Sequence, residues 1–183
     1  LFTMSQSIKK KFPNKHIIIM LAANLVIQYG IKRFFESANK ASVSGVIIPD
    51  LNIDSTELYA QNAQENQIGL INLVSPLCQP DRLKKIVNMS TGFVYLISSL
   101  GTTGERSSFS KKLESLTAQI KAIKPIAVGV GFGISQPDHI KSVHQFADAA
   151  IVGSHLISLI SKNYDSPKNA LTAINKRIKT LLR

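Results

Sequence analysis

Short apolar runs recur along the chain, each followed by a polar loop and then by a stretch with helical spacing. The runs cover residues 17–21, 46–48, 69–74, 93–97, 126–130 and 149–152. They are short and rich in β-branched residues, which suits strands buried on both faces of a parallel sheet. Helical spacing falls at 31–41, 55–66, 82–88, 111–123 and 137–146, with a last helix at 168–182. Asp54-Ser55-Thr56-Glu57 reads as a helix start, because acidic first-turn residues suit the helix dipole. Pro80 and Pro137 stand at helix starts, where a missing N–H costs little. Gly30, Gly45, Gly69 and Gly92 are expected to mark turns.

Alternating strands and helices leave an open doubly wound sheet or a closed barrel. The chain holds six such units in 183 residues, whereas a complete eight-unit barrel takes about 250. A (β/α)8 barrel that is incomplete at its N-terminus, with strands three to eight present, fits this length. No linker interrupts the alternation, so a single domain over 1–183 is expected. The chain does not begin with Met, which adds to the expectation of a partial sequence.

Two glycine-rich segments follow the last two strands. One is Gly129-Val130-Gly131-Phe132-Gly133-Ile134-Ser135, and the other is Gly153-Ser154, leading into a short apolar helix at 155–160. Glycines let backbone approach a ligand, and exposed N–H groups at a helix start bind anions. Loops after the seventh and eighth strands with a short extra helix form the recurrent phosphate site of barrels. Tight turns alone are the plainer reading of each loop taken separately. The glycine spacing does not make a dinucleotide fingerprint, and no acidic residue stands at the required place further on. Residues 98–108 form a long polar segment with Gly101 and Gly104, composed either as a lid or as an irregular connection.

Composition changes this picture little. The formal net charge is +11, which first suggests nucleic acid. However, the basic residues are spread over several expected helices, without interleaved aromatics to stack bases. Seventeen Lys against five Arg, with 23 Ile and 11 Asn, point instead to A/T-rich codons. No apolar run approaches the roughly 20 residues of a membrane helix, and residues 1–11 read as a basic amphipathic helix end rather than a secretory signal. The lone Cys78 excludes an internal disulfide and reads as a buried or loop thiol. His16, His139, His144 and His155 read as solvated or locally satisfied. His155 alone stands where it could touch a phosphate, and no pair has metal-ligand spacing backed by a third ligand.

Several ordered blocks resemble the alpha subunit of tryptophan synthase. They are Met20-Leu21-Ala22-Ala23-Asn24-Leu25-Val26, Val46-Ile47-Ile48-Pro49-Asp50-Leu51, Phe93-Val94-Tyr95-Leu96-Ile97-Ser98, Gly101-Thr102-Thr103-Gly104-Glu105-Arg106, Gly131-Phe132-Gly133-Ile134-Ser135 and Val152-Gly153-Ser154. The resemblance implies a (β/α)8 lyase that cleaves indole-3-glycerol phosphate to indole and glyceraldehyde 3-phosphate. It also implies an alpha2-beta2 assembly with a beta subunit. Pyridoxal phosphate is expected only in that subunit, with no cofactor or metal here.

Carried over by position, Gly133, Gly153 and Ser154 should hold the phosphate, with Gly104 near it. Met20, Ile47, Leu73, Tyr95 and Phe132 should wall the indole, and Thr103 should be the lid residue. The family's catalytic Glu and Asp match no position of this sequence and would precede Leu1, so no catalytic residue is expected in this chain. Ala22, Asn52 and Thr102 depart from the usual tyrosine, proline and valine. Asp50 is expected at a beta-subunit contact, with a catalytic role as the alternative. Competing readings are a non-catalytic regulatory partner that binds a phosphorylated ligand and another phosphate-binding barrel enzyme. Nucleic-acid and membrane partners are not expected. Codon bias suggests a plastid (chloroplast stroma), with a bacterial cytoplasm as the alternative.

Overall fold

The computed structural model describes residues 1–98, 106–131 and 133–182, with side chains for all of these except 106–110. The chain divides into two compact units, the first comprising Leu1–Val74 and Cys78–Val94, the second Ser75–Leu77 and Tyr95–Arg183.

The first unit opens with α1 (Phe2–Lys11), followed by β1 (Ile18–Met20), α2 (Ala23–Tyr29), α3 (Ile31–Lys40) and β2 (Gly45–Ile47). A short 3-10 turn (Ile53–Ser55), α4 (Thr56–Glu65), β3 (Gly69–Ile71), β4 (Leu73–Val74) and α5 (Pro80–Met89) complete it. Strands β1, β2 and β3 pair in parallel, with Ile19 beside Val46 and Val46 beside Leu70. Those three residues face the helices and join Phe34, Phe35, Ala38, Tyr59 and Ala63 in the core. Burial of such side chains is the main stabilising term. Met20, Ile47 and Ile71, one residue further along each strand, alternate to the opposite face of the sheet. Helix α1 caps the core through Phe2, whose ring lies 5.6 Å from that of Phe34.

Gly45 and Gly69, expected as turn markers, instead begin β2 and β3 as register partners. The reason is close packing: a Cβ on Gly45 would stand 2.6 Å from Ile71 Cδ1. Gly30 and Gly92 do have positive φ, +91° and +80°. The expected strand at 69–74 is broken at Asn72, whose Nδ2 donates to Ser90 Oγ at 3.1 Å.

In the second unit, β5 (Phe93–Ile97) continues from the first and is followed by α6 (Arg106–Ile123), β6 (Ala127–Gly131) and α7 (Pro137–Val143). Next come β7 (Ala149–Ile151), α8 (Ser154–Lys162) and α9 (Pro167–Leu181). Helix α6 begins five residues earlier than its apolar spacing indicated, within the segment read as a polar loop. Strands β6 and β7 pair in parallel, Gly129 beside Ala149 and Gly131 beside Ile151. Their lower ends are fastened by Asp148, which accepts from Val128 N–H at 2.8 Å and meets Lys121 Nζ at 2.9 Å. The Val128 bond chiefly holds the Asp148 carboxyl below its ordinary pKa, with Lys121 adding to the effect against a partial desolvation that raises it. Among the described residues, no helix is long and apolar enough to cross a membrane.

Candidate functional site

Strand register places the two glycine loops at one end of adjacent strands. Because Gly131 pairs with Ile151, the segments two residues beyond each, at Gly133 and Gly153, leave β6 and β7 from the same side. Gly133 has φ +74°, a left-handed conformation that favours glycine, and buried Ile134 anchors the loop beyond it. Gly153 is the N-cap of α8, and its carbonyl accepts from Leu156 and Ile157 N–H at 2.9 and 3.1 Å. Nothing lies within 4 Å of a Cβ built on Gly153. The N–H groups of Ser154 and His155 therefore belong to the first turn of a helix, where backbone donors point outward along the axis. Gly133, Gly153 and Ser154 are all solvent-exposed. Together they offer glycine backbone and a helix start to one region, an arrangement that suits an anion.

Two further bonds shape this end of the sheet. Ser98, just past β5, donates from its backbone N–H and from Oγ to the Gly131 carbonyl at 2.7 and 2.9 Å. Arg177 of α9 donates through Nε to His155 Nε2 at 2.8 Å. Its Nη2 donates to the Ser135 carbonyl and to Gln136 Oε1. Neither Ser98 nor Arg177 stood out in the sequence. Both act over long chain separations, and no local motif marks them.

The expected aromatic-pocket residues fall in both units. In the second, Tyr95 is 6% exposed and its ring packs on the Gly131 backbone. Burial raises the Tyr95 phenol above its ordinary pKa. In the first, Met20 and Ile47 are register partners on one sheet face, Met20 half exposed and Ile47 buried. Leu73 opens β4 and lines a small cavity of about 90 Å³ with Ile48, Asn72 and Arg82. Thr103, Gly104 and Phe132 lie outside the described residues.

Asp50 follows β2, and its Oδ1 accepts from Ala23 N–H, the first residue of α2, at 2.9 Å. It thus caps a helix, with its charge at the favourable end of the dipole. The same charge adds to burial, the larger cause, in raising the pKa of Tyr59. His139 Nδ1 accepts from Ser135 N–H at 3.4 Å and His16 Nδ1 meets Ser44 Oγ at 3.2 Å, so both are locally engaged. No cluster of three His, Cys, Asp or Glu suitable for a metal occurs among the described residues.

A parallel β/α fold with glycine loops leaving two adjacent strands from the same side, one opening a helix, defines the class of β/α barrels. The chain belongs to the tryptophan synthase alpha chain family, whose model matches residues 1–182. The tryptophan synthase alpha chain of Arabidopsis thaliana is 36% identical over 159 residues, covering 86% of this chain and 58% of the relative. That of Prochlorococcus marinus (strain NATL1A) is 42% identical over 146 residues, 79% of this chain and 55% of the relative. A solved chain of the tryptophan synthase a2b2 complex from Pyrococcus furiosus matches with TM-score 0.86 and 30% identity, over 99% of this chain and 72% of that one. The fold is therefore the TIM barrel of these subunits. The chain spans between half and two thirds of the length of these curated relatives.

Proposed function

We propose that this chain supplies the substrate-phosphate site of a lyase of tryptophan biosynthesis. The complete protein would cleave indole-3-glycerol phosphate to indole and glyceraldehyde 3-phosphate and pass the indole to a beta subunit. The observation that carries this reading is the Gly131–Ile151 register, which brings Gly133 and Gly153-Ser154 to one end of neighbouring strands. Gly104 is proposed beside the phosphate. Tyr95 and Phe132, with Met20, Ile47 and Leu73, are proposed to hold the indole, and Thr103 to serve as the lid residue. The beta subunit, in an alpha2-beta2 assembly, would carry the pyridoxal phosphate. Membership of the family and the P. furiosus a2b2 complex support that partner.

Cleavage requires a proton delivered to an indole carbon and another taken from nitrogen. The one carboxylate expected at the strand mouths, Asp50, is engaged as a helix cap. The chain as given is accordingly proposed to bind without turnover. A plastid location is proposed from the Lys, Ile and Asn bias, supported by a plant relative, with a bacterial cytoplasm as the alternative that the Prochlorococcus relative fits.

Titration of the ¹⁵N-labelled chain with glycerol 3-phosphate tests the site. The amides of Gly133, Gly153 and Ser154 should shift together with one dissociation constant. Shifts confined to the Lys-rich helix ends would instead mean that phosphate meets only surface charge.

A further inference from the structure

One side chain joins the two loops on which the anion site depends. Arg177 lies 42 residues beyond Ser135 and 22 beyond His155 in sequence, yet it bonds to both. Ser135 and Gln136 belong to the loop that carries Gly133, whereas His155 is the second residue of α8, immediately after Ser154. Three N–H groups of the planar guanidinium are thus spent on two separate segments: one on His155 Nε2, one on the Ser135 carbonyl and one on Gln136 Oε1. None of these acceptors is a carboxylate, so none of them neutralises the positive charge held beside the loops.

The chemistry of the bond to His155 fixes more than distance. A guanidinium only donates, so the His155 Nε2 it meets must accept. The proton of the neutral ring then sits on Nδ1, the less populated tautomer for a histidine free in water. A lysine could not reproduce this arrangement, because an ammonium lacks the planar fork that reaches divergent acceptors in fixed directions.

We infer that Arg177 is a positioning residue of the anion site, an inference that rests on the phosphate reading proposed above. It sets the spacing between the Gly133 loop and the start of α8, so that the backbone N–H groups of both converge on one phosphate. Its charge lowers the cost of gathering a dianion there.

The test uses the 183-residue chain with inorganic phosphate as the probe, at constant ionic strength. In the wild type, the Gly133, Gly153 and Ser154 amides should respond to phosphate, and long-range ¹H–¹⁵N spectra should find the His155 proton on Nδ1. R177Q should weaken phosphate binding about tenfold, the scale of one charge-assisted hydrogen bond. It should also return His155 to the solution mixture of tautomers. R177K, which keeps the charge but not the fork, should restore at most part of the affinity and none of the tautomer, and it carries the test if R177Q fails to fold. Unchanged affinity in R177Q, an unchanged His155 tautomer, or full rescue by R177K would overturn the positioning role. A wild-type chain whose loop amides ignore phosphate, while His155 still shows the Nδ1–H form, would instead sink the anion site and leave the tie as architecture alone.

Discussion

Tyr95 occupies the space that a side chain at residue 131 would need. A Cβ built on Gly131 would stand 2.9 Å from Tyr95 Cε1 and closer still to the hydroxyl. The atoms met are the tip of the Tyr95 ring, which is buried, so the ring gives way only by leaving its packed position. In the reading proposed here, this ring forms one wall of the indole pocket, and the glycine is what admits it.

Gly131→Ala should therefore force the Tyr95 ring out of its buried position. Overpacking of this kind costs about 1–3 kcal/mol, which denaturant midpoints should register. The double variant Gly131→Ala with Tyr95→Leu should recover part of that loss, because the clash partner is gone. If the two losses simply add, the ring and the glycine are not coupled as the geometry indicates.

The strand pattern was legible in the sequence because buried parallel strands read as β-branched runs between helices. Residues 93–97 form β5 with the expected limits, and the outer ends of the other strands lie within one residue of those expected. The pattern could not reveal the break at Asn72, which depends on a side-chain bond to Ser90 made 18 residues away. Helix α2 was hidden for a similar reason: its start is capped by Asp50, 27 residues downstream, and not by a local Ser, Thr or Asp. The glycine loops were legible because glycine is itself a backbone signal. The Arg177 tie was not, since a basic residue on a basic terminal helix looks like any solvated charge until its acceptors are known. The scattering of charge was read correctly, with Lys9–Lys11 closing α1 and Lys84, Lys85, Lys111 and Lys112 placed on α5 and α6.

Asp148 should make the second unit sensitive to acid. Its pKa is lowered in the folded chain, first by the Val128 N–H and then by Lys121. The stabilisation is thus fully present above the unfolded carboxyl pKa of about 3.9 and is lost as pH falls through the lower folded value. Asp148→Asn should reduce stability at pH 7 by about 1 kcal/mol, a modest figure because the pair is partly exposed and screened. The same variant should lose little further between pH 5 and pH 2 by this route, whereas the wild type should lose its advantage. Parallel acid-induced losses in both chains would show that Asp148 is not the group responsible.

Asp50 separates a structural role from a partner role. Asp50→Ala removes the acceptor for Ala23 N–H and should cost about 1 kcal/mol, a typical loss for a helix cap. Asp50→Asn should keep most of that stability, because asparagine caps about as well as aspartate. If Asp50 also meets a beta subunit through its charge, Asn and Ala should weaken that association equally despite their different stabilities. Equal affinity of wild type and Asn for the beta subunit would confine Asp50 to its role in the fold.

Gly133 and Gly153 differ in a way that lets ligand binding be separated from folding. Gly133 has φ +74°, so alanine there is strained by about 1–2 kcal/mol whatever the surrounding space. Gly153 has φ −125°, outside the left-handed range that favours glycine, and an added methyl would meet nothing within 4 Å. Gly153→Ala should therefore melt with the wild type. If a phosphate settles against the Gly153 and Ser154 backbone, however, that methyl occupies space the anion needs. Loss of one close N–H contact to a charged ligand corresponds to roughly 1.5–3 kcal/mol, or about ten- to a hundredfold in affinity. Glycerol 3-phosphate titrations, run beside thermal melts of both variants, should find Gly133→Ala weakened in stability and binding together. They should find Gly153→Ala weakened in binding alone. A Gly153→Ala chain that binds like the wild type would place the phosphate away from the start of α8, and the loops would then be turns and nothing more.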